Sequence, residues 1–188
     1  MSILRTVALV SVMLATSAVL SAQTVKIGSV EVPADCALAK KEHPRLLFTK
    51  ADLPNIRDRI AKPGLKPIYD KLKQIVDEQM GKNMEASQML VPLGLLYHIT
   101  GDEKYGQACR AVTLKGSFGF YATEGVFGYD LVYNLLTPEE RSACEAKMLA
   151  HVQRGSAEST ELTPWLNALA MWGSGTNDTE VANGISMG

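Results

Sequence analysis

The chain lacks any CxxC pair, any closely spaced histidines and any run of like charges in its 188 residues. Its three cysteines (Cys36, Cys109, Cys144) and three histidines (His43, His98, His151) have no zinc-site spacing, so no metal and no cofactor is expected. The 19 basic and 20 acidic residues leave a formal net charge of -1. That balance carries no electrostatic footprint for nucleic acid or for an anionic membrane surface. Long apolar stretches are also scarce. The one that stands out, Val7 to Leu20, follows Arg5 and precedes Ser21-Ala22, so residues 1–22 read as a secretory signal. Ser11, Thr16 and Ser17 interrupt it, and it is short for a membrane span. The expected location is periplasmic or secreted, with no stable membrane association once the signal is removed. Cys36 follows Pro-Ala-Asp far past the apolar stretch, which argues against a lipid anchor. An odd cysteine count in an exported chain leaves Cys109 and Cys144 as buried thiols or as a disulfide pair.

What is present is an ordinary globular composition, 46% hydrophobic and 21% charged, enough for one domain or part of one. Residues 23–42 form an N-terminal arm, in which the alternation Val25 to Val32 suggests an edge strand or an extended segment. Thr49 and Asp52 have capping-box spacing, and Leu53, Ile56 and Ile60 share a helical face, with Pro54 near the helix start. From there helices of two kinds alternate. Pro67 to Met80, Asp102 to Lys115 and Pro138 to Gln153 are amphipathic. Met84 to Ile99, Thr123 to Leu136 and Thr163 to Trp172 are apolar nearly all round, the first with a kink expected at Pro92. Thr137-Pro-Glu-Glu140 is the clearest helix start, joining a cap, a proline at the first helical position and a reciprocal glutamate.

The amphipathic helices start near Pro67, Asp102 and Pro138, a spacing of about 35 residues that marks repeated helical hairpins. Half-exposed helices alternating with fully apolar ones imply two layers, and a curved or closed array buries the apolar one best. The fold class expected is therefore all-α, with residues 43–188 forming part of an α/α toroid. Val181, Ile185 and Met187 begin a further apolar pattern that the chain end interrupts, so the chain reads as the front part of a larger protein.

In a toroid the ends of the inner helices ring a cleft. Tyr97, Tyr121, Tyr129, Tyr133, Trp165 and Trp172 could offer flat faces to sugar rings there, or simply fill the core. Asp130 fits either a contact to sugar hydroxyls or a structural hydrogen bond. His98 reads as structural, and neither His43 nor His151 has a partner in sequence that suggests a base. The rim that follows, Trp172 to Gly188, sets polar side chains between glycines. Its Asn177 and Asp178 suit a helix cap, and Asn183 suits structure or substrate contact.

Four stretches occur in order and at fitting separations: His43-Pro-Arg-Leu-Leu-Phe48, Tyr97-His-Ile-Thr-Gly-Asp-Glu-Lys-Tyr105, Gly128-Tyr-Asp-Leu-Val-Tyr133 and Leu136-Thr-Pro-Glu-Glu-Arg141. Together they make His43 to Gly188 resemble the N-terminal toroid of heparinase II/III-like polysaccharide lyases and related alginate lyases. The resemblance implies β-elimination on a uronic-acid-containing polysaccharide. That reaction needs a neutraliser for the uronate carboxylate, a base for the C5 proton and an acid for the leaving oxygen. It places the neutraliser at Asn177, just after an inner aromatic helix; the candidate substrate contacts from the cleft reading are Tyr129, Asp130, Tyr133, Trp172 and Asn183. The Tyr and His of the family fall beyond Gly188. Asp178 departs from the family pattern, since an ionised carboxylate there would repel the substrate's own. Two alternatives stand beside this reading. A glycoside hydrolase would need a carboxylate pair such as Glu124 with Asp130, or Asp178 with Glu180. A tetratricopeptide-like module would bind a peptide or glycan without chemistry.

Overall fold

A computed structural model describes residues 23–80, 82, 89–118, 123–155, 162–175 and 177–186. The signal stretch, Tyr121 and Met187 lie outside the described residues. The architecture is all-α with one small hairpin: β1 (Thr24–Ile27) and β2 (Val30–Pro33), then α1 (Leu53–Ile60), α2 (Lys66–Met80), α3 (Leu90–Thr100), α4 (Glu103–Lys115), α5 (Thr123–Val132), α6 (Pro138–Gly155), α7 (Leu162–Met171) and α8 (Asp178–Ser186). None of the described helices is long and apolar enough to cross a membrane.

Local chemistry sets most of the boundaries. At α6, Thr137 N donates to Glu140 Oε2 (2.9 Å) and Glu140 N donates to Thr137 Oγ1 (3.2 Å), the reciprocal cap expected there. Glu140 also pairs with Arg110, which ties the start of α6 to α4. Asp102 Oδ1 accepts from Lys104 N (3.1 Å) to open α4. Gly101, with φ of 73°, closes α3 by donating to Tyr97 O. Thr49 donates to Asp52, but the pair opens a 3-10 turn, Lys50–Asp52, that runs on into α1. Pro54 thus falls in the first turn of α1. Pro92 likewise sits in the first turn of α3, where its missing N–H would have had no intrahelical partner. The kink expected at Pro92 is therefore not needed.

The N-terminal arm departs from the sequence reading. The alternating segment folds back on itself as an antiparallel pair, with Val25 opposite Val32 and Lys26 opposite Glu31. Gly28, at φ of 59°, takes the first place of the two-residue loop, where positive φ suits a hairpin and a side chain would be strained. A Cβ there would also come within 2.5 Å of the Ala182 carbonyl oxygen. Ser29 N donates to Ser186 Oγ (2.8 Å), and Ile27 is fully buried. The hairpin tip is thereby seated on α8.

The helices lie in two rows. Apolar α3 packs on α5, and α5 on α7; amphipathic α4 covers α3 and α5, while α6 and α8 cover α7. Gly94 brings α3 and α5 close, since a Cβ on it would meet Leu131 Cβ at 2.7 Å. Leu93, Leu96, Val126, Tyr129 and Met171 are fully buried in this apolar row. Each such apolar side chain contributes about 1.5–3 kcal/mol of transfer free energy, which is why α3 has so little polar surface. Cys109 and Cys144 are both buried and free, which removes the disulfide alternative. Each occupies its own packing site: the Cys109 thiol faces the Leu90 carbonyl across to α3, and burial pushes it up to about 12 and that of Cys144 up to about 11.

Candidate functional site

The N-terminal segment from Lys41 to Leu46 crosses the end of α7 and docks on α5, and two polar clusters form along it. The first is centred on Asp130. This carboxylate is 1% exposed, yet all its hydrogen bonds come from one stretch of chain. Its Oδ1 accepts from His43 Nδ1 (2.7 Å), and its Oδ2 accepts from the backbone N of Arg45 and of Leu46 (both 2.9 Å). The carboxylate can only accept, so the proton of His43 resides on Nδ1. Burial, which outweighs the pull of Asp130, holds the His43 pKa below its ordinary value, as do the positive fields of Arg45 and Arg141. At neutral pH the contact is therefore a neutral imidazole donating to a carboxylate. Tyr133 stacks on His43 at 3.8 Å between ring centroids, Arg141 lies 4.8 Å from the Tyr133 ring, and Asn134 Nδ2 donates to the His43 carbonyl (3.3 Å). One helix further, Tyr129 OH donates to Glu145 Oε1 (2.5 Å) with both residues buried.

These contacts correct two of the expected substrate residues. Tyr129 is fully buried with its hydroxyl committed to Glu145, and Asp130 has both oxygens taken by the chain, so neither is offered to a sugar. The same burial removes the Glu124 and Asp130 pair as hydrolase carboxylates. Tyr133 is half-buried, and the stack against His43 occupies one of its faces. His98 is structural as read, with its Nε2 bonded to the Leu131 carbonyl (2.7 Å).

The second cluster is the rim. Arg45 Nη2 donates to the carbonyls of Ala170 (2.9 Å) and Trp172 (2.7 Å), covering the negative end of α7. The chain then turns through Gly173 and Gly175, both left-handed with φ of 84° and 86°. Asp178 Oδ1 accepts from the backbone N of Gly173 (3.2 Å) and Gly175 (3.3 Å), and its Oδ2 lies 3.5 Å from Lys41 Nζ. The same ammonium stands 5.4 Å from the centroid of the half-buried Trp172. The Lys41 stem fills the space where a Cβ on Gly173 would be, within 2.5 Å of Cγ. Asn177 is half-buried, and its carbonyl accepts from Val181 N (3.0 Å), so it stands at the N-cap of α8. Asn183 lies about one and a half turns into α8 and is exposed. The fold thus gathers Lys41, Trp172, Asn177 and Asp178 on one rim, and leaves Asn183 outside that group. Tyr97 and Trp165 are half-buried on α3 and α7.

Sequence reasoning found no partner for His43 and did not single out Lys41 or Arg45 as site residues, because their partners lie 87, 137 and 125 residues further along. The one hint was a polar pair, His43 and Arg45, set around a proline ahead of an apolar run. Elsewhere, a shallow depression along α2 is lined by Asp70, Lys73, Gln74, Asp77 and Glu78. Its Asp77 already holds Lys73 (2.8 Å), Lys104 (3.1 Å) and the Tyr105 hydroxyl (2.8 Å), and these contacts, Lys73 foremost, keep its carboxyl well below the usual range. No group of His, Cys, Asp or Glu among the described residues could hold a metal ion. Comparison of the chain with protein families, with curated proteins and with solved structures finds no match in any of the three.

Proposed function

We propose that the chain is the N-terminal toroid portion of a secreted or periplasmic polysaccharide lyase, acting on uronic-acid-containing polysaccharide by β-elimination. The two-row packing supports the toroid part of this reading, because an inner row of α3, α5 and α7 flanked by amphipathic helices is what a closing double layer requires. The observation that carries the functional part is the position of Asn177. It caps α8 immediately beyond inner helix α7, on a rim whose nearest carboxylate, Asp178, is already matched by two backbone N–H groups and Lys41. With Asp178 so occupied, the objection that it would repel a uronate loses most of its force. In this reading the Asn177 amide donates to the substrate carboxylate and makes the neighbouring C5 proton acidic, while Trp172 forms the apolar floor beside it. The base and acid come from chain beyond Gly188.

The test is a pair of measurements on acidic polymers such as alginate and heparosan, with dextran as the neutral control. This chain should retain the acidic polymers selectively, and a protein that continues it should release products with new ultraviolet absorbance from the unsaturated uronate. New reducing ends without that absorbance would point to hydrolysis instead. Neither retention nor product would sink the proposal.

A further inference from the structure

Arg45 is a half-buried cation with only part of its donor capacity used. Nη2 gives its hydrogens to Ala170 O and Trp172 O, whereas Nε and Nη1 are buried with no acceptor among the described residues. On the turn that Arg45 grips, Trp172 Nε1 and Ser174 Oγ are also buried with no partner among the described residues. The acceptors close by are occupied. Asp130 takes His43 and two backbone N–H groups, and Asp178 takes the N–H groups of Gly173 and Gly175 and faces Lys41. Buried donors are almost always matched, so four unmatched ones on three neighbouring residues are a surplus that calls for an explanation.

We infer that Arg45, Trp172 and Ser174 form a binding site for a small oxyanion, a carboxylate or sulfate group, beneath the Gly173 to Gly175 turn. An oxyanion brings several acceptor oxygens and no donors, which is the complement of this set, and a guanidinium is the cation best suited to receive it. Lys41, half-exposed at the rim, supplies a second positive charge at the entrance. Entry requires the turn to swing outward, which breaks the bonds from Gly173 and Gly175 to Asp178, at 3.2 and 3.3 Å, and the Ser174 N to Met171 O bond, at 3.1 Å. The inference stands apart from the polysaccharide reading, because free anions test it. If that reading holds, a glycan's uronate or sulfate is the natural ligand.

The chain has two tryptophans, so Trp165→Phe leaves Trp172 as the sole reporter. In that background, sodium acetate, D-glucuronate and sodium sulfate are titrated at constant ionic strength, with sodium chloride and glucose as controls. At least one oxyanion should give a saturable change in Trp172 emission and raise Tm, while chloride and glucose do neither; the carboxylate and sulfate arms identify the preferred group. Ser174→Ala should weaken that binding about tenfold, the worth of one hydrogen bond to a charged group. It should leave the anion-free Tm unchanged or raised, since its hydroxyl has no partner to lose. Arg45→Lys should weaken binding further, but Ser174→Ala keeps the test decisive if that variant misfolds. No saturable response to any oxyanion, or a lowered anion-free Tm in Ser174→Ala, overturns the site. Anion binding without polymer retention or cleavage keeps the site and removes the lyase reading.

Discussion

The two polar clusters along residues 41–46 use similar groups to opposite ends. Around Asp130, both carboxylate oxygens accept hydrogen bonds, the carboxylate is 1% exposed, and His43 is held by stacking as well as by its hydrogen bond. Around Trp172, an ion pair is half-exposed, the turn is held by long bonds, and donors on Arg45, Trp172 and Ser174 are left unmatched. A satisfied buried network fixes one arrangement and offers nothing to a ligand, whereas an unsatisfied one keeps binding capacity in reserve. The contrast teaches where to look for function: at the incomplete cluster, although the complete one holds the more conspicuous His–Asp pair.

The sharpest way to break this contrast is Asp130→Ala. It strands the His43 N–H and the backbone N–H groups of Arg45 and Leu46, and leaves Arg45 without its buried counter-charge. The expected loss is about 3–5 kcal/mol in denaturant unfolding. A loss below about 1 kcal/mol would mean that the network is not the clamp described.

A smaller effect concerns pH. The His43 pKa in the folded protein lies below the unfolded value of about 6.5, mainly through burial, so the unfolded chain takes up the proton first. The stability this represents is intact above about pH 6.5 and is lost as pH falls from there toward the folded pKa, at no more than about 1.4 kcal/mol per pH unit. His43→Gln, which keeps an N–H toward Asp130, should flatten that slope in pH-dependent melting. The His98 pKa is also lowered by burial, so a residual slope of the same sign should persist. A slope unchanged by the substitution would show that His43 titrates normally.

Least is expected from Lys41→Ala. The Lys41 and Asp178 side chains are 50% and 31% exposed, and such pairs contribute less than about 1 kcal/mol. A thermal shift larger than that corresponding loss would mean that the rim is clamped as firmly as the core cluster.

Much of the helical order was legible because its signals are local. Thr137 with Glu140, Asp102 and Gly101 act within one turn, so spacing alone identifies them. The alternation of apolar and amphipathic helices also survives folding, because it reports which helices are covered on all sides. The hairpin escaped notice since Gly28-Ser29 sits inside an alternating segment that reads equally well as one strand. The site was least legible. Asp130 in an apolar helix signals that some donor must reach it, but which donor is decided by docking of a segment 84 to 87 residues earlier, and no periodicity records that. Asn177 and Asp178 were recognisable as capping residues, yet the division of labour between them depends on Lys41, equally remote.

The hairpin tip resting on α8 has a consequence for synthesis. Ser29 and Ser186 are 157 residues apart, so the first described element finds its seat on the last. At about 5–20 residues per second, the arm waits roughly 8–30 s after it is made before its partner exists. During that interval Ile27, fully buried in the finished fold, has no α8 to cover it. The leading end of the chain can therefore reach its buried position only after the last described helix has been made.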